Sequence, residues 1–385
     1  MRKAAVGARL AISLSVVIGA VVVVVLLAVA ALLAGQGGHL SLQLPVRHTS
    51  SFDASGIDLP ALTTRGARLQ TVDGDAVVLR GVMVPDPAVL ADRGRFDRDT
   101  VADVAATGAN VLRVPVHPGH WADDGDYLWR YLEPLARWAG EEGLYVILDW
   151  HVIGDVTTGA APSEPELFAA TLEETREFWT AVAGHFATAP HVLLELVNEP
   201  QGMSGDEWRA VADELTDLVR EQGATQPVVV GGTDYARDLS WVADGGVADD
   251  EVVYATHLYP AHGRGGWDAW FGGVTDRYPL LLTEWGFIDR DDPGPAYLVG
   301  DTASYARPLL QRLEDEEASG WVACWWDDGW QPAMFDRTDD SGTDDSGTDD
   351  GGTDDGGTGA TGPDGLGAPT TWGAFVLDQL ARAAG

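Results

Sequence analysis

A chain of 385 residues with 45 % apolar content is long enough for a large core and lies far from the composition of disordered proteins. Its 24 basic side chains against 60 acidic ones leave a formal charge of −36, which repels nucleic acid and argues against it as a partner. The single cysteine, Cys324, excludes an intrachain disulfide and any cysteine-based zinc site, so the core alone must hold the fold.

Lys3 is the sole lysine. An acid-rich, lysine-poor surface suits high salt, where the Debye length shrinks to about 3 Å at 1 M; GC-rich codon usage produces the same bias. A halophilic host is one expectation.

Arg2, Lys3 and Arg9 precede an apolar run over residues 10–34. A run of about 25 residues exceeds the h-region of a signal peptide and is long enough to span a bilayer. Positive charge ahead of it and none just after keeps residues 1–9 cytoplasmic and places the rest outside the cell. A single-pass signal-anchor at 10–34, with the lipid bilayer as its partner, is therefore expected; the alternative is secretion after cleavage of a long signal. Residues 35–66 are mixed, contain Ser and Gly, and read as a tether, with a folded domain over 67–385.

Residues 68–80 look like a hairpin turning at Asp73-Gly74. Strand-like runs at 77–84, 110–116, 144–150, 192–197, 227–231, 252–257, 280–284 and 321–326 then alternate with helical stretches such as 127–142, 166–186, 206–222 and 303–318. Most of the runs are continuously apolar, as in parallel strands buried on both faces. Eight in strict alternation with helices predict one closed (β/α)8 barrel, an α/β fold. The doubly wound open sheet is disfavoured because no Gly-rich phosphate loop follows the first strand. Residues 338–358 repeat Thr-Asp-Asp-Ser/Gly-Gly with no apolar side chain, so 338–361 is expected to be a disordered insertion in the eighth βα loop. An amphipathic helix at 372–383 follows it.

Polar residues gather just after the strands, the catalytic face of such a barrel. Arg113 ends the second strand, and His117, His120 and Trp121 follow it; Asp149-Trp150-His151 end the third. Asn198-Glu199-Pro200 end the fourth, His257 and Tyr259 the sixth, Glu284-Trp285 the seventh, and Trp325-Trp326 the eighth. A glutamate after a strand is most often a surface cap, and a lone histidine there most often a satisfied structural group; their joint placement at one rim carries the weight. Glu199 and Glu284 face each other across the mouth. Glycoside hydrolysis needs such a pair, in which, at about 5–5.5 Å, one carboxylate attacks while the other shuttles the proton. Arg113 is placed to keep the attacking group ionised, Tyr259 to donate a hydrogen bond to it, and Asn198 to bond the sugar 2-hydroxyl.

The blocks Leu112-Arg113-Val114-Pro115, Asp149-Trp150-His151, Leu196-Val197-Asn198-Glu199-Pro200, His257-Leu258-Tyr259 and Thr283-Glu284-Trp285-Gly286 resemble the signature blocks of glycoside hydrolase family 5. That family holds retaining cellulases and mannanases, and the resemblance covers roughly residues 77–330 in order. It implies a (β/α)8 barrel with Glu199 as acid/base and Glu284 as nucleophile, needing no metal and no cofactor. It also implies a supporting shell of Arg113, His151, Asn198, His257, Tyr259 and a tryptophan after the eighth strand. Alternation favours Trp326 over Trp325 for that last position. One departure is Trp285, where the family more usually has Phe.

Fifteen tryptophans suit stacking on pyranose faces. The expected substrate-binding set is His117, His120, Trp121, Trp285, Trp326 and Trp330, with Trp267 and Trp270 in or near rim loops. Trp138, Trp179 and Trp208 fall inside helices and are expected to pack the core. The substrate is expected to be a β-linked polysaccharide or oligosaccharide, most simply a β-glucan cut in endoglucanase fashion. Three rivals stand beside this reading. A metal-dependent barrel hydrolase would use His117, His120, Asp149, His151 and His257, although no His-x-His ends the first strand and no His-Glu-x-x-His is present. A glycan-binding surface protein without turnover is the second, and a transglycosylase with the same covalent intermediate the third.

Overall fold

The computed structural model describes residues 51–337 and 365–385. The expected membrane span at 10–34 and the acidic insertion at 338–361 lie outside the described residues. Among the described residues, no helix is long and apolar enough to cross a membrane.

Twelve strands are formed among the described residues. The chain enters through a hairpin of β1 (Leu62–Arg65) and β2 (Arg68–Thr71). Eight parallel strands close into a barrel: β3 (Leu79–Met83), β4 (Val111–Val116), β5 (Tyr145–Trp150), β7 (Val192–Glu195), β9 (Val228–Gly231), β10 (Val252–Leu258), β11 (Leu280–Trp285) and β12 (Gly320–Ala323). All eight expected strands are present in the expected order, and β7 and β12 stop two or three residues early. A short parallel pair above the mouth completes the set, β6 (Ile153–Gly154) against β8 (Glu199–Pro200).

Period-two alternation sorts the strand side chains into two layers. Leu79, Val111, Ile147, Leu193, Val229, Val253, Leu281 and Val322 fill the barrel interior. Val82, Leu112, Val114, Leu148, Leu194, Val230 and Leu282 face the helices. Helix starts are chemically marked. Thr171 with Glu174 and Ser204 with Glu207 form reciprocal capping boxes ahead of the helices Leu172–Phe186 and Gly205–Glu221. The Thr171 box also explains why the expected helix 166–186 is interrupted: a short turn, Pro165–Phe168, ends before the cap restarts the helix. The expected helices 127–142 and 303–318 each begin with a widened π-turn, Leu128–Leu132 and Thr302–Ala306. In both, a proline stands two residues past the turn (Pro134 and Pro308), where a missing N–H and ring sterics disfavour the regular bonding of the preceding turn.

The folded part begins earlier than expected. Phe52 is 2 % exposed, donates its backbone N–H to His185 O at 2.8 Å, and packs on Phe186 and His191. Leu62 and Leu69 of the hairpin are buried with the first residues of the barrel strands. The stretch 51–66 is thus part of the domain and not tether; one aromatic and spaced leucines among polar residues show no period that would mark it. The hairpin turns at Gly66-Ala67, while Asp73-Gly74 makes a second turn closed by a single Gln70–Ala76 bridge. Phe52→Ala should cost about 3 kcal/mol of unfolding free energy, read by denaturant titration; an unchanged midpoint contradicts this role.

Candidate active site

The polar rim residues converge at the C-terminal ends of the strands on a cavity of about 460 Å³. His117, His151, Asn198, Glu199, Tyr259, Glu284, Trp325 and Trp330 line it, with Ile153, Leu167, Phe168, Tyr297 and Gln331. Arg113 and His257 lie buried directly beneath.

Glu284 reaches the cavity through a β-bulge. Thr256 pairs with Leu282 but His257 pairs with Glu284, so Thr283 is an extra residue on β11. The bulge lets Thr283 and Glu284 both face inward, and it sends Trp285 outward. Glu284 Oε1 accepts from Arg113 Nη1 at 2.8 Å and Oε2 accepts from Tyr259 OH at 2.9 Å. Burial alone would raise this carboxyl, but the His257 and Arg113 charges outweigh it and hold the group down to about 2.

Arg113 is fully buried and forks three ways. Its Nε donates to Glu195 Oε2 at 2.6 Å, Nη2 donates to Asn198 Oδ1 at 2.8 Å and lies 3.1 Å from Asp149 Oδ2, and Nη1 serves Glu284. Burial opposes its charge, yet Asp149, Glu195 and Glu284 raise its affinity for the proton further, so it is a permanent cation. With Oδ1 of Asn198 so engaged, its Nδ2 has no partner among the described residues and remains a free donor beside the cavity.

Glu199 sits in the two-residue β8, whose pairing with β6 fixes it over the mouth. Gly154 of β6 has no room for a side chain, because a Cβ there would meet Ala160 O at 2.2 Å. Glu199 Oε1 lies 3.0 Å from His257 Nδ1. Burial raises this carboxyl above the usual range and the Glu284 charge adds to it, against the pull of the His257 hydrogen bond. An oxygen of Glu199 and one of Glu284 lie within 4.8 Å of each other. Two neighbouring carboxyls are thereby driven in opposite directions.

His151 Nδ1 lies 2.6 Å from Asp149 Oδ2, and burial keeps its imidazole well below its ordinary value, hence neutral. His117 is fixed by Asp86, whose Oδ2 accepts from the His117 backbone N–H at 2.9 Å and lies 2.8 Å from its Nδ1. Asp86 also accepts from Tyr127 OH at 2.7 Å.

Four expected substrate contacts are corrected. Trp326 is fully buried against Phe335, and Trp325 takes the cavity position beside His151 and Trp330. β12 ends at Ala323, so strict alternation does not carry on to these residues. Trp285 packs outward against Trp321 and Trp372 because of the bulge. Trp121 packs on Tyr127 and Phe178 in the outer core. His120 lies behind His117, 3.1 Å from Asp86 Oδ2, and does not line the cavity. Trp267 and Trp270 likewise pack on the outer core, and Trp179 and Trp208 are buried in it as expected. Trp325→Ala should lower kcat/KM about tenfold through lost stacking, whereas Trp326→Ala should leave KM alone and cost about 3–5 kcal/mol of stability. Steady-state kinetics beside thermal unfolding separates them; the reverse assignment contradicts this placement.

Sequence reasoning missed Glu195, Asp86, Thr283, Phe168 and Tyr297. Glu195 and Asp86 had a visible signal, since a carboxylate inside or at the end of an apolar strand must be buried with a partner. Phe168 and Tyr297 stand in single helical turns, Pro165–Phe168 and Ala296–Leu298, too short for a periodicity that would position a side chain. Among the described residues, two groups bring metal-capable atoms within 4.8 Å of one another: Asp86 with His117 and His120, and Glu199 with His257 and Glu284. In the first, Asp86 is already shared between the two imidazoles, and the second is the carboxyl pair itself.

Residues 74–329 match the family model Cellulase (glycosyl hydrolase family 5). Endoglucanase N of Pectobacterium atrosepticum is 27 % identical over 247 residues, covering 62 % of this chain and 52 % of that protein. Endoglucanase 5 of Pectobacterium carotovorum is 28 % identical over 247 residues, covering 62 % and 46 %. The chain therefore spans about half the length of the curated relatives it matches. Among solved structures, a beta-glucanase of Saccharophagus degradans in complex with cellotetraose superposes with a TM-score of 0.77 at 24 % identity, over 89 % of this chain and 99 % of that one. The catalytic domain of Thermobifida fusca endoglucanase Cel5A gives 0.64 at 20 %, over 83 % and 96 %. These superpositions establish the closed barrel, and the family model, which spans most of it and both carboxylates at its mouth, shows that this chain belongs to glycoside hydrolase family 5.

Proposed function

We propose that this protein is a retaining endo-β-glucanase that hydrolyses β-linked glucan by double displacement, with Glu284 as nucleophile and Glu199 as acid/base. The observation that carries this reading is the opposed ionisation of two carboxyls whose oxygens lie within 4.8 Å. Carboxyls with oxygens this close leave no room for a water between carboxylate and sugar, as an inverting enzyme requires, and suit direct attack. Glu284, ionised and held by Arg113 and Tyr259, attacks the anomeric carbon while protonated Glu199 delivers its proton to the leaving oxygen. Ionised Glu199 then takes a proton from the water that releases the sugar. The Asn198 Nδ2 donor is free for the sugar 2-hydroxyl, and Trp325 and Trp330 offer ring faces for stacking. The glucan substrate is supported by relatives named as endoglucanases and by the cellotetraose held in the Saccharophagus structure. The apolar run at 10–34 supports tethering of the catalytic domain to the outer face of the membrane, and the charge of −36 supports activity at high salt.

The test is the full chain in detergent on β-glucans, mannans and xylans, at low and high salt and with a chelator, following the first-formed product by proton NMR. Chelator-insensitive cleavage of a β-glucan that releases the β-anomer first is expected. Release of the α-anomer first, or loss of activity to the chelator, contradicts the reading.

A further inference from the structure

Beneath Glu199 a line of hydrogen bonds leaves the cavity and enters the barrel. Glu199 Oε1 lies 3.0 Å from His257 Nδ1, His257 Nε2 lies 3.0 Å from Thr283 Oγ1, and that hydroxyl donates to Glu195 Oε1 at 3.2 Å. His257 is 1 % exposed, and Thr283 and Glu195 are fully buried. Against burial, the Glu284 and Glu199 charges raise the proton affinity of His257, and the imidazolium between ionised Glu199 and ionised Glu195 is one state of the line. A neutral imidazole carries one N–H and a hydroxyl one hydrogen, so the same proton has two further self-consistent arrangements, one in each direction. In one, Thr283 donates to ionised Glu195 and accepts from His257 Nε2–H, and the bare Nδ1 accepts the proton of Glu199. In the other, protonated Glu195 donates to Thr283, Thr283 to Nε2, and Nδ1–H donates to ionised Glu199.

We propose that His257, Thr283 and Glu195 form a proton relay through which one proton is shared between Glu199 and Glu195. This rests on the reading of Glu199 as acid/base. Each transfer balances: the Glu199 Oε1 proton goes to His257 Nδ1, the Nε2 proton to Thr283 Oγ1, and the hydroxyl proton to Glu195 Oε1. The imidazole ends neutral in its other tautomer. Glu195 and Thr283 touch no reacting atom and are positioning residues.

The charged surroundings give the relay its direction. Glu195 faces Arg113 on β4, Asp149 on β5, His257 on β10 and Thr283 on β11; His257 faces Glu199, Glu284 and Arg113. Tyr259, Cys324, His151 and His117 complete the ring of titratable groups around the buried charges. Burial, opposed by Arg113, pushes the Glu195 carboxyl up to about 7, so the far end of the line takes up and releases a proton near neutrality. The Glu284 charge raises the proton affinity of Glu199. While Glu284 is ionised, that charge favours the proton on Glu199, the acid form needed for the first step. Once Glu284 is esterified its charge is gone and the balance moves toward Glu195, leaving Glu199 the base needed for the second.

The experiment is the pH profile of kcat/KM for the full chain on phenyl and 2,4-dinitrophenyl β-cellobiosides. Thr283→Val is isosteric and cuts the line; His257 then keeps its proton on Nδ1 and favours ionised Glu199. The alkaline limb on the phenyl substrate should fall by about one pH unit, and Thr283→Ser should restore it. Glu195→Gln should move the limb the same way, because its amide O must face Arg113 and its N–H2 then points at Thr283. The dinitrophenyl substrate, which needs no acid, should lack this limb throughout. A Thr283→Val limb equal to that of Thr283→Ser, or moved upward, overturns the relay, and if that variant does not fold the Glu195→Gln limb decides alone. Failure of the acid/base reading itself is seen separately, as a Glu199→Ala variant equally slow on both substrates.

Discussion

Glu284→Gln should abolish turnover while leaving the domain folded. Glutamine keeps the shape of the side chain but cannot form the glycosyl ester, and kcat should fall about 10⁴-fold or more, ~5 kcal/mol of transition-state stabilisation. Stability should hardly change, for a reason visible in the charges. Arg113 is bonded to or close beside three carboxylates, Asp149, Glu195 and Glu284, so removing one still leaves the guanidinium paired. Steady-state rates beside thermal unfolding check both halves. Near-native rates contradict the assignment of nucleophile, and a collapse of the fold contradicts the account of the charges.

Glu199→Ala should separate substrates by leaving group. On β-glucan the loss of proton donation should cost about 10²–10⁴-fold. On 2,4-dinitrophenyl β-cellobioside the first step needs no acid, so glycosylation should proceed and the covalent intermediate should accumulate for want of a base, visible as a burst of dinitrophenol. The signs of the two ionisations set the native pH range. Productive free enzyme has Glu284 ionised and Glu199 protonated. Glu284, held at about 2 by His257 and Arg113 against burial, stays ionised down to strongly acidic pH. Glu199, raised by burial and by the Glu284 charge, keeps its proton above the ordinary carboxyl range. Activity is therefore present between these values and lost as pH rises through that of Glu199, and the alkaline limb should vanish in Glu199→Ala. The same slowing on both substrates, with no burst, contradicts this role.

The barrel was legible because its strands are buried on both faces and so read as unbroken apolar runs, each followed by a polar cluster. Both glutamates, Asn198, His257 and Tyr259 were legible for the same reason: they stand at or just past the strand ends, where order along the chain becomes order around the mouth, and Arg113 was legible as a charge inside the apolar run of β4. The errors lie where period two stops. Beyond Ala323 the chain leaves the sheet, so Trp325 and Trp326 exchange the places that alternation assigns them. The extra Thr283 turns Glu284 in and Trp285 out, and a bulge leaves no mark in composition. Trp121 and His120 follow a strand but belong to a short helix, Pro118–Asp123, whose partners are Tyr127, Phe178 and Asp86. Phe52 is one aromatic in a polar stretch and becomes core only because the helix ending at Phe186 offers it a site. Glu195 was overlooked although the run Leu193-Leu194-Glu195-Leu196 shows a charge in the middle of an apolar run, at the end of the buried strand β7, which is a demand for a partner before it is anything else.

The most direct measurement of the central claim is covalent trapping. A 2-deoxy-2-fluoro-β-cellobioside with an activated leaving group destabilises both oxocarbenium-like transition states and slows hydrolysis of the intermediate most, so the ester persists long enough for peptide mass spectrometry. The account predicts one equivalent of label on the peptide containing Glu284, located at that residue by fragmentation and absent from Glu284→Gln. Label on any other carboxylate, or turnover of β-glucan by an enzyme that never acquires the label, would contradict it.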